Sequence, residues 1–100
     1  MTRSNPLEKH IETLRKNLPY LAQEYHVAAL EVFGSYVRHE QRKGSDLDVL
    51  VTFSKPPSLL KFARLENYLS DNLGVQVDLV MKDSLKPHIG QSILREVVPV

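Results

Sequence analysis

Leu7, Ile11, Leu14 and Leu18 recur at steps of three or four residues and draw one apolar stripe along a helix. Asn5 as N-cap, Pro6 at the first helical position and Glu8 placed to close a capping box predict its start. Pro19 predicts a break, with a second short helix over "PYLAQEYH" begun by that proline. The period then shortens. "VAALEVF" (27–33), "DLDVLVTF" (46–53) and "VQVDLVM" (75–81) are short apolar runs, bounded by Gly34, by "SKPPS" and by Gly74, and predict strands. Between the first two lie one or two helical turns over 35–40 and a polar loop, "QRKGS". Between the second and third, Ser58 caps a helix carried by Phe62, Leu65, Leu69 and Leu73, with Gly74 as its C-cap. A last helix is predicted through "HIGQSILREVV" (88–98).

The order helix, helix, strand, helix, strand, helix, strand, helix is an α/β (α+β) pattern, a small sheet flanked by helices. Three strands are few, so helices must cover the sheet, and a partner would cover what remains. The 100 residues are read as one domain, 1–100, with 42% hydrophobic and 25% charged residues, which argues against disorder. A net charge of +1 points to no special partner, and the lack of basic excess argues against nucleic acid. No apolar run is long enough to span a bilayer and the N-terminus has no signal-like apolar stretch, so an intracellular, cytoplasmic protein without a membrane partner is expected. The absence of cysteine removes disulfides, thiolate nucleophiles and thiolate zinc sites, and the four histidines are too dispersed for a zinc site.

Charge enters where the pattern should be apolar. Along 46–53, alternation puts Asp46 and Asp48 on one face and Leu47, Val49, Val51 and Phe53 on the other. Two residues of rise separate these acids by roughly 6 to 7 Å. At an effective dielectric of about 20 their repulsion is about 2 to 3 kcal/mol. Asp78 sits in the third strand, with Val77 and Leu79 pointing to the opposite face, so pairing of the two strands with these faces together would bring three carboxylates together. A divalent cation would relieve them, and an all-oxygen donor set suits magnesium or manganese. A D-x-D pair alone is weak, since strand ends often carry solvated aspartates. "FGS" upstream raises its value: Gly34 permits close backbone approach, and the N–H groups that follow, with the Ser35 hydroxyl, form an anion site. Arg38, one turn on, is suited to phosphate, or else to an ion pair with Glu31 or Glu40. His39 reads as a general base or as a solvated residue. Tyr36, Val37 and the terminal "VVPV" either meet another protein or finish the local core.

"GSYVRHEQRKGSDLDVLV", continued by the lone acid of "VQVDLV", resembles the G-S-x-x-R-x(6)-S-D-x-D signature of the DNA polymerase beta-like nucleotidyltransferases. The short chain is similar to their minimal members, the MntA-type antitoxins of HEPN/MNT toxin–antitoxin pairs. That resemblance implies a mixed sheet with Asp46, Asp48 and Asp78 as magnesium ligands, two ions being usual, and Asp78 as the group that deprotonates the acceptor. It further implies that Gly34 and Ser35, with Arg38 beside them, hold the phosphates of ATP, and that Ser45 supports the loop or a phosphate. The implied reaction moves AMP to a hydroxyl, a tyrosine of a cognate HEPN toxin, within a hetero-oligomeric complex. A non-catalytic antitoxin that neutralises its partner by binding, and a transferase acting on a small molecule or RNA, are the alternatives. The chain departs from the family's usual Arg-Gly at Arg38-His39 and from its usual proline at Lys43-Gly44.

Overall fold

The computed structural model describes residues 6–100. Its elements are α1 (Pro6–Tyr25), β1 (Val27–Phe33), β2 (Leu47–Phe53), α2 (Leu59–Leu73), β3 (Val77–Met81), a 3-10 turn (Lys82–Ser84), α3 (Pro87–Glu96) and β4 (Val98–Pro99). The Asn5 cap lies outside the described residues.

Pro19 does not break the first helix. α1 runs through it as one element of 20 residues. The apolar stripe continues past the proline, with Leu14, Leu21 and Tyr25 all buried, and Pro19 itself is exposed. Packing on both sides of the proline therefore outweighs the hydrogen bond it removes. α2 follows the expectation closely: the Ser58 hydroxyl accepts from the Lys61 N–H at 3.1 Å, and Gly74 ends the helix in the left-handed region, φ 70°.

The sheet has four strands in the order β3-β2-β1-β4, one more than the sequence pattern predicts. β1 pairs antiparallel with both β2 and β4, while β2 and β3, joined by α2, run parallel. "VVPV" thus ends as an edge strand and not as the tail of a helix. Buried Leu30, Val32, Leu47, Val49, Val51, Val77 and Leu79 form one core with Leu14 and Leu21 of α1 and Leu65 and Leu69 of α2. The outer edge of β3 is closed by α2, whose Ser70 hydroxyl accepts from the Val77 N–H at 2.9 Å and whose Glu66 carboxylate accepts from the Leu79 N–H at 3.0 Å. Such side-chain partners remove donors that would otherwise template another strand. No helix among the described residues is long and apolar enough to cross a membrane.

Candidate active site

Antiparallel pairing sets the end of β1 beside the start of β2, with Phe33 opposite Asp48, and parallel pairing sets Asp48 opposite Asp78. Three distant segments meet at one end of the sheet, on the face away from α1 and α2. Gly34 leaves β1 with φ 85°, in the region that favours glycine. A Cβ there would overlap the Asp48 carboxylate, which lies directly against the glycine backbone. The Gly34 turn and Asp48 of the sequence motif are therefore in contact.

The acids are not equivalent. Asp48 is half-buried, whereas Asp46, just ahead of β2, and Asp78 are exposed. Burial, followed by the charge and hydrogen bonding of Asp78 and then the charge of Asp46, pushes the Asp48 carboxyl up to about 6, and Arg38 opposes the shift. The convergence of all three acids is not preassembled: among the described residues, no group of three or more His, Cys, Asp or Glu side chains is arranged to hold a metal ion. Asp46 is exposed ahead of β2, whereas the ladder sets Asp48 opposite Asp78. The donor chemistry nonetheless fits a hard divalent cation, since a crowded, partly desolvated oxygen set gains most from one.

Residues 34–40 form a hydrogen-bonded turn instead of a helix. Val37 and Arg38 N–H groups donate to the Gly34 carbonyl at 3.1 and 3.2 Å, and the Glu40 N–H donates to the Ser35 carbonyl at 2.8 Å. Tyr36 of this turn is buried, edge-on to His10 of α1 at a centroid distance of 5.5 Å. Tyr36 and Val37 therefore finish the core. His39 is exposed with φ 57°, a left-handed backbone that favours glycine. The Ser45 hydroxyl accepts from the Arg42 N–H at 2.8 Å, the loop-supporting half of its expected role.

Arg38 is paired, but only one of the two expected partners is correct. Glu40 takes its Nε at 3.2 Å, Glu31 is instead bound to Lys82 at 2.8 Å, and Glu96 takes its Nη1 at 3.0 and 3.1 Å. Glu96 and then Glu40 hold the guanidinium above its ordinary pKa. Sequence reasoning missed Glu96 because it belongs to no motif.

Comparison with known proteins matches residues 7–100 of the chain to the nucleotidyltransferase domain. The chain belongs to the nucleotidyltransferase family. Among its relatives is the protein adenylyltransferase MntA of Thermococcus cleftensis, 50% identical over 94 residues that cover 94% of this chain and 95% of that one. A solved structure described as a minimal nucleotidyltransferase is similar over 100% of both chains, with 34% identity and a TM-score of 0.77. A toxin–antitoxin structure with AMP-PNP is 26% identical with a TM-score of 0.69, covering 96% of this chain and 72% of that one. As a nucleotidyltransferase, the chain has the mixed sheet that the family resemblance implied.

Proposed function

We propose that this nucleotidyltransferase moves AMP from ATP to a tyrosine hydroxyl of a cognate HEPN toxin and so acts as its antitoxin. The observation that carries the reading is the contact between Gly34 and Asp48, which is itself paired in register with Asp78, so that the turn proposed to bind phosphate lies against the acids. The 50% identity to the protein adenylyltransferase MntA and the likeness to a toxin–antitoxin structure with AMP-PNP support the acceptor class and the nucleotide.

In this reading the Ser35 and Tyr36 N–H groups and the Ser35 hydroxyl bind the terminal phosphates. Asp78, exposed beside Asp48, takes the acceptor proton. The acceptor oxygen bonds to the α-phosphorus, the bond from that phosphorus to the bridging oxygen breaks, and pyrophosphate leaves toward Gly34. Asp48 and Asp78, with Asp46 in reach, would hold magnesium, which supplies neutralisation of charge on the phosphates when bound. Incubation with ATP labelled at the α-phosphate, magnesium and the adjacent toxin is expected to label a toxin tyrosine, and Asp48→Asn with Asp78→Asn to abolish both label and antitoxin action. Folded protein that leaves the toxin unlabelled would refute transfer. Neutralisation that survives the double substitution would favour action by binding alone.

A further inference from the structure

β4 is only two residues long, yet its register with β1 pairs Glu31 with Pro99 and Val32 with Val98. Two further steps along that register bring Glu96 opposite Gly34. The ladder does not continue there. A carboxylate takes its place: Glu96 Oε1 accepts from the Gly34 N–H at 2.9 Å, and Arg38 Nη1 donates to both Glu96 oxygens at 3.1 and 3.0 Å. One side chain from the α3–β4 junction thus ties both ends of the 34–38 turn. The Ser35 and Tyr36 N–H groups donate to nothing else among the described residues.

We propose that Glu96 is a positioning residue for the nucleotide-binding turn. It fixes Gly34 from the β4 side, while the Asp48 carboxylate lies against the same glycine from β2, and the two contacts hold the left-handed backbone that presents Ser35 and Tyr36. Capture of Nη1 by both carboxylate oxygens also orients the guanidinium of Arg38, which is close enough to Asp48 to oppose the upward shift of its carboxyl. This inference rests on the proposed binding of ATP phosphates at Gly34 and Ser35.

The test compares wild type with Glu96→Ala and Glu96→Gln, the latter retaining an oxygen acceptor for Gly34 but no charge for Arg38. The readouts are ATP affinity, KM and kcat for AMP transfer, thermal midpoint, and the amide shift and hydrogen exchange of Gly34. Glu96→Ala is expected to weaken ATP binding and raise KM about tenfold while the thermal midpoint stays close to wild type, because misplacement of a binding turn acts on nucleotide first. The Gly34 amide should lose its carboxylate-induced shift and exchange faster, and Glu96→Gln should recover part of both effects. An unchanged Gly34 amide, unchanged ATP affinity, or tighter ATP binding on removal of the carboxylate would each overturn the proposal, the last by making Glu96 a competitor of phosphate. Wild-type protein that binds no ATP would instead overturn the functional reading beneath it, an outcome separable from loss of the Glu96 effect alone.

Discussion

Gly34 and Gly74 both hold positive φ, 85° and 70°, but for different physical reasons. At Gly74 an added Cβ meets nothing within 4 Å, so alanine there pays only for left-handed backbone. At Gly34 the same atom would strike Asp48, and relief requires moving either the strand or the carboxylate. Gly74→Ala should therefore cost about 1 kcal/mol in chemical denaturation with AMP transfer intact. Gly34→Ala should cost about 2 to 3 kcal/mol and reduce transfer at least a hundredfold, both effects following from one displaced aspartate. Equal stability losses at the two glycines would contradict that distinction. His39 supplies a second check on backbone: Gly at this exposed left-handed position should stabilise by about 0.5 to 1 kcal/mol in the same measurement. Motif residues at this scale were legible because "GS" and "DLD" demand unusual chemistry from few positions. Glu96 was not legible, because a glutamate near the end of an amphipathic helix has an ordinary solvated reading and its partner lies 62 residues away.

The elements were legible where the pattern outlasted local punctuation. α2 is bounded by residues that act locally, Ser58 and Gly74, so its ends could be read directly. α1 contradicts its own proline, because burial of Leu21 and Tyr25 is a tertiary effect invisible to a rule about one residue. The stripe itself, continued as Leu18, Leu21 and Tyr25, already held the better answer. β4 is shorter than any pattern can reveal and exists only because Val98 finds Val32. Pro19 gives an element-scale prediction. It is exposed, it lies on the helix, and its ring costs one backbone bond without any compensating contact in the core. Pro19→Ala should raise unfolding free energy by about 1 to 3 kcal/mol, read from denaturant midpoints, and leave AMP transfer unchanged. A loss of stability would mean that the proline fixes a bend on which the packing of α1 depends.

At the scale of the whole molecule, the fold gathers residues 34, 48, 78 and 96 from four segments, and the crowding of Asp48 by Asp78 opposes the folding that brings them together. The sign of that opposition can be worked out. The Asp48 carboxyl is pushed up to about 6 from an ordinary value of 3.8, so the folded protein binds its proton more tightly than the unfolded chain does. The stabilisation from this proton is fully present below pH 3.8 and is lost as pH rises through about 6. Because Asp48 remains partly open to solvent, the loss is discounted to about 1 to 2 kcal/mol, against the nearly 3 that an unscreened shift of two pH units would give. Wild-type protein in chelator should therefore fall in unfolding free energy between about pH 4 and pH 6.5, and Asp48→Asn should flatten that slope. Magnesium added at pH 7 should raise the thermal midpoint of wild type, because a ligand of the folded state alone stabilises it. The same addition should leave the Asp48→Asn, Asp78→Asn protein unmoved. A slope that persists in Asp48→Asn would assign the pH dependence to other groups. A magnesium response that persists in the double variant would place cation binding elsewhere and leave the crowding of Asp48 and Asp78 without a metal to explain it.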